Sequence, residues 1–204
     1  MQKNSNRDTF KNTTIKETKS FWSEAYEWID SAVITVMILL LVFTFLFRQV
    51  KIEGDSMNPT LETEERVIVS DVFYSPQYGD IVVISAEILN DKPIIKRVIA
   101  TEGQWLQIKN GHVYVGEESD RLFRVSDEFI EPDVDTWEVI GGYDAFDFSK
   151  PIQVPDNHVF VLGDNRQDSL DSRAASIIGF VDCRQILGKA LYRVYPFDKI
   201  GSIY

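Results

Sequence analysis

A single cysteine, Cys183, among 204 residues excludes an intrachain disulfide framework and any all-cysteine metal site. Two histidines, His112 and His158, and the lack of an H-E-x-x-H pairing exclude a three-histidine zinc centre within one chain. Lysine and arginine total 21 against 32 aspartates and glutamates, for a formal net charge of -11. Neutralising phosphates needs clustered cations, and no such cluster stands out, so no nucleic-acid partner is expected. Neither a metal nor another cofactor is called for. What the chain does have is apolar residues, 44% of the total, enough for the core of one compact domain with a short appendage.

The longest uncharged run extends from Ser31 to Phe47, and with Trp28 and Ile29 it approaches the length a bilayer core requires. It reads as a transmembrane helix over 28–47. A buried core helix is the alternative, but such a helix rarely lacks polar residues on every face. Some thirty residues precede the run and no small-x-small site follows it at Arg48–Lys51, so it reads as an uncleaved anchor and not a removable leader. Lys11, Lys16 and Lys19 outnumber Arg48 and Lys51, which assigns residues 1–27 to a cytoplasmic tail and 48–204 to an extracytoplasmic body.

From Val50 the pattern changes to short apolar runs punctuated by Gly, Pro, Asn and Asp: 67–69, 81–84, 94–100, 105–108, 112–115, 159–162 and 190–195. This predicts a mainly β body. Tyr78-Gly79-Asp80 opens one strand, and Lys109-Asn110-Gly111 predicts a tight hairpin. Between about 116 and 155 the periodicity is poor and acidic residues dominate, as in an insertion or lid.

Three stretches carry chemistry. Gly54 and Pro59 frame Ser56 in a sharply shaped loop, where a hydroxyl can be exposed, although Ser-x-x-Pro also occurs in plain turns. Lys96 interrupts the β-branched run Ile94–Ala100, and alternation places it with Ile94 and Val98. On an edge strand it would snorkel to solvent; if buried, desolvation would favour its neutral form and make it a general base. The strand Val159–Leu162 ends in a dense polar loop, where Asp164, Arg166, Asp171 and Arg173 can pair in bidentate fashion and Ser169 can offer a hydroxyl to an amine.

Gly54-Asp55-Ser56-Met57-Asn58-Pro59-Thr60-Leu61, Gly79-Asp80-Ile81-Val82-Val83, Lys96-Arg97-Val98-Ile99 and the segment from Gly163 to Arg173 occur in the order, and near the spacing, of the type I signal peptidases. The chain resembles the Gram-positive branch of that family over the anchor and most of residues 48–200. The resemblance implies a β-rich catalytic core with a small inserted β domain at about 103–157, behind one transmembrane helix. It makes Ser56 the nucleophile and Lys96 the general base of a Ser-Lys dyad that removes signal peptides from translocated preproteins through an acyl-enzyme. Ser169 would hold the lysine amine. Asp164, Arg166, Asp171 and Arg173 would support the site, and Met57 and Gly54 would line the substrate cleft. The partners implied are secretory preproteins with small-x-small cleavage sites and the lipid bilayer, against which Val50 and Ile52 would lie; the protein-translocation channel is a further candidate.

Two departures stand out. Gly54 occupies a position where some members carry a serine that assists the oxyanion hole, which leaves that task to backbone N–H groups. Ala100-Thr101-Glu102-Gly103-Gln104 replaces the usual Gly-x-Pro-Gly-Asp. Two rivals are an autocleaving Ser-Lys repressor, which would need a DNA-binding domain in place of the span, and a membrane-anchored binding or scaffold protein that kept the fold and lost catalysis.

Overall fold

The computed structural model describes residues 21–85, 92–125, 128–130, 134–137 and 142–204, with backbone only for Phe21, Ser23 and Phe45. Most of the expected tail and parts of the acidic stretch lie outside these residues.

The chain divides into two units, 1–43 and 44–204. The first is dominated by α1, Phe21–Leu46, whose 26 residues span roughly 39 Å at the rise of an α-helix. Within it, Glu24–Thr44 is long and apolar enough to cross a bilayer. Val33, Ile34 and Val36 through Phe43 expose apolar side chains around the whole circumference, as a lipid-facing helix requires and a core helix does not allow. Thr35, a rare hydroxyl in this run, returns its proton to the Ser31 carbonyl at 2.7 Å. Trp22, Tyr26 and Trp28 gather at the amino-terminal end, where amphipathic rings suit a headgroup layer.

The second unit is β-rich. Its larger sheet contains β1 (Arg48–Lys51), β2 (Arg66–Ser70), β3 (Ile81–Ile84), β4 (Ile94–Thr101), β9 (His158–Leu162), β10 (Val181–Asp182), β11 (Ile186–Tyr195) and β12 (Gly201–Ser202). The order is β1-β2-β11-β3-β4-β9-β10, with β12 on β11 and every pairing antiparallel. The smaller sheet, in the order β7-β6-β5-β8, comprises β5 (Trp105–Lys109), β6 (His112–Glu118), β7 (Arg121–Arg124) and β8 (Ile152–Gln153). Asn110 and Gly111 have φ of 51° and 76°, the left-handed pair that a two-residue hairpin between β5 and β6 demands.

Strand alternation sorts the core. Ile95 joins Ile52, Met57, Leu61, Val67, Val69, Ile81 and Val83 in one buried cluster. Val98 and the partly buried Ile94 join Val82, Ile84, Val159 and Val161 in a second. A bulge after Val98 then turns Ile99 and Ala100 into a third, against Leu106, Ile108 and Phe160. Ile52, expected against lipid, is 2% exposed and belongs to the first cluster, because Ile52 N–H donates to Glu65 O (2.8 Å) and pins that segment onto β2.

Candidate active site

Between β1 and β2 the chain makes a tight turn whose backbone bonds are local: Asn58 N–H to Asp55 O at 3.1 Å and Leu61 N–H to Met57 O at 2.9 Å. Gly54 has φ of 91°, a conformation that a side chain would strain, and the space beside it is open. The structure corrects the expected place of Met57. Its side chain is 0% exposed and packs in the core with Leu61, so it anchors the turn from beneath and leaves Ser56 at the rim. Asn165 N–H donates to the Ser56 carbonyl at 3.0 Å, and Asn165 Nδ2 to that of Asp55 at 3.2 Å, tying this turn to the loop after β9.

Lys96, on β4 opposite Val82, is 3% exposed. Its Nζ stands 2.7 Å from Ser56 Oγ and 2.9 Å from the Ile95 carbonyl. Burial pushes this amine down to about 8; the carboxylates of Asp171 and Asp164 pull the other way, and Arg173 adds a smaller downward push. A buried amine so tuned is neutral in a usable fraction near physiological pH, within proton-transfer distance of one hydroxyl.

The loop after β9 supplies the surroundings. Arg173 grips Asp171 through two bonds of 2.8 Å, with both side chains essentially dry. Asp171 Oδ2 also accepts from Gly163 N–H at 3.1 Å. Arg166 donates to the Gly163 carbonyl at 3.0 Å and to Thr136 Oγ1 at 2.7 Å. Ser169 lies in the site, since a Cβ built on Gly163 would collide with both Ser169 Oγ and the Ser56 carbonyl oxygen. Its hydroxyl, expected to hold the lysine amine, is buried without a hydrogen-bond partner among the described residues; the amine's contacts there go to Ser56 and Ile95.

The sequence reading missed the role of Arg97. It is 1% exposed and forms a bidentate pair with Asp164, Nε to Oδ1 at 2.8 Å and Nη2 to Oδ2 at 2.6 Å. Thr60 Oγ1 donates to the same carboxylate at 2.5 Å. The signal was an arginine inside an apolar strand, which cannot stay buried without a carboxylate.

A groove of about 610 Å³ is lined by Val50, Ile52, Val83, Ile94 and Ile95, the last of which accepts from Lys96 Nζ through its carbonyl. β9 joins β4 only from Arg97 onward, so among the described residues no strand pairs with Ile94–Ile95 on that side.

Residues 25–195 match the family described as "Signal peptidase, peptidase S26". Signal peptidase I of Bacillus licheniformis is 34% identical over 178 residues, 86% of this chain and 91% of that one. Signal peptidase I S of Bacillus subtilis strain 168 is 34% identical over 177 residues, 85% and 91% of the two chains. A solved signal peptidase I from Enterococcus faecalis V583 is 23% identical, covers 57% of this chain and 97% of its own, and aligns with a TM-score of 0.41, too low to bear on the fold.

Proposed function

Because this chain belongs to the signal peptidase family, peptidase S26, we propose that it removes signal peptides from preproteins by attack of Ser56 on the scissile carbonyl, with Lys96 as general base. The observation that carries this reading is the buried amine of Lys96 at 2.7 Å from Ser56 Oγ. A serine hydroxyl is a poor nucleophile until a base within hydrogen-bond reach takes its proton. Neutral Lys96 takes it as Oγ bonds to the carbonyl carbon, and the resulting ammonium returns it to the departing amine. The acyl-enzyme on Ser56 is then hydrolysed by water deprotonated by the same lysine. Backbone N–H groups, chiefly that of Ser56, hold the oxyanion; losing one such donor typically costs about 3 kcal/mol in the barrier.

The substrate is an extended small-x-small segment lying in the groove and adding a strand to the free edge at Ile94–Ile95. α1 holds the enzyme in the membrane with residues 1–27 cytoplasmic, 28–47 spanning and 48–204 outside, and about 103–157 form the inserted β domain. Lipid is one partner, and the translocation channel that delivers preproteins is another. An inactive scaffold would have no need of a dry lysine against a rim serine.

The test is cleavage of a small-x-small preprotein in detergent by wild type, Ser56→Ala and Lys96→Met. Both variants lose turnover while keeping their fold. Persistent cleavage by Lys96→Met removes the base from the scheme.

A further inference from the structure

The acidic insertion returns to the site at three points. The Phe129 ring covers the Arg97 guanidinium, centroid to carbon at 3.8 Å, lies beside Tyr78, and stands where a side chain at Gly79 would touch it. The Gly79 carbonyl accepts from Arg97 Nη1 at 2.7 Å. Thr136, 1% exposed, takes Arg166 Nη1 at 2.7 Å, and the Trp137 carbonyl takes Arg173 Nη1 at 3.3 Å. Arg97, Arg166 and Arg173 are thus each capped by a stretch whose sequence shows neither strand alternation nor a motif.

We infer that Phe129 and the Trp137 carbonyl, with Thr136 holding Arg166 on the Gly163 carbonyl, form a positioning element for the dyad, keeping dry the Arg97–Asp164 and Arg173–Asp171 pairs near Lys96. The inference rests on the proposed role of Lys96 as base. The groups facing Lys96 are Asp164, Asp171 and Arg173 from the loop after β9 and Ser56 from the nucleophile turn; β3 presents the apolar Val82, and the neighbouring Arg97 acts through Asp164. A carboxylate clamped by a dry guanidinium is largely neutralised. Released from that clamp, it favours the ammonium form of a nearby lysine. A Phe129 ring over Arg97 bars water from the Asp164 pair and gains cation–π attraction by doing so. Opening the cap admits water and frees the carboxylate, and both changes make Lys96 more cationic at a given pH.

The experiment follows full-length enzyme in detergent carrying 13Cε-labelled lysine, with the Lys96 resonance assigned by its loss in Lys96→Met, alongside kcat/KM against pH on a small-x-small peptide. In Phe129→Ala the titration midpoint of Lys96 rises by about one pH unit, and kcat/KM at pH 7 falls about tenfold but recovers at high pH. Phe129→Leu, which keeps most of the packing, shifts in the same direction by less, and Phe129→Tyr titrates as wild type. If the Lys96 midpoint stays put in both Phe129→Ala and Phe129→Leu, or if activity falls equally at every pH, the positioning role is overturned. The lysine titration is read whether or not peptide is cleaved, so a wild type without peptidase activity counts against the proposed function alone.

Discussion

Replacing Lys96 by Met exchanges a buried amine for an apolar chain of similar length, and the structure sets both the size and the pH dependence of the effect. Holding a lysine at about 8 instead of its free value near 10.4 costs the folded state about 3 kcal/mol at neutral pH. The exchange also deletes the Nζ contacts to Ser56 Oγ and the Ile95 carbonyl, a loss of about 2 kcal/mol at about 1 each. The folded-state pKa lies below the unfolded one, so between about 8 and 10.4 the unfolded chain binds more protons and the wild type gains stability as pH rises. Its penalty is complete below pH 8 and has shrunk to about 1 kcal/mol by pH 10. Lys96→Met is therefore more stable than wild type by about 1 kcal/mol at pH 7 and less stable by about 1 kcal/mol at pH 10. For a domain of this size that is a rise in Tm of about 3 °C turning into a fall of about 3 °C. Calorimetry on the full chain in detergent at both pH values measures the difference. A gap between variant and wild type that does not move between pH 7 and pH 10 refutes a buried, depressed lysine.

For the wild type, kcat/KM on a soluble peptide substrate climbs through a midpoint near pH 8 and drops about tenfold per unit below it; a flat profile from pH 6.5 to 9 contradicts the assignment. Asp164→Asn leaves the Arg97 guanidinium buried beside a neutral group, a loss of about 3 to 5 kcal/mol seen as a Tm lower by roughly 10 °C. Arg97→Met with Asp164→Leu regains most of that stability, and a double variant no better than the single shows that the charges are not the cause. Gly163→Ala places a methyl against the Ser56 carbonyl, a backbone atom that cannot rotate away, and kcat/KM falls about 100-fold as the nucleophile moves. Wild-type turnover in that variant would mean the loop after β9 does not fix the serine.

Elements with strong local signals were legible in the chain. The β-branched runs became β2, β3, β4 and β9, and Asn110-Gly111 made its hairpin because Asn and Gly adopt left-handed geometry readily without help from the rest of the fold. β1, β7, β8 and β12 have four residues or fewer and little alternation, so pairing partners and not local pattern make them strands. Ser56 and Lys96 were expected together, and the fold brings them together from positions 40 residues apart. The Arg97–Asp164 pair spans 67 residues and depends on the register of β4 against β9, which no local signal encodes. Met57 went differently for a related reason: a position next to Ser56 does not say which way a side chain points in a tight turn.

β11 follows the other long strands described here in chain order, yet it lies between β2 and β3, in the middle of the larger sheet. Before residues 186–195 take their place, β1-β2 and β3-β4 share no strand pairing among the described residues, and the Ser56 turn is joined to the Lys96 half by loop and core contacts alone. A nascent copy therefore holds Ser56 and Lys96 in halves that lack their shared central strand for most of its synthesis. Closure of the sheet by β11 is what would join the two halves into one rigid support.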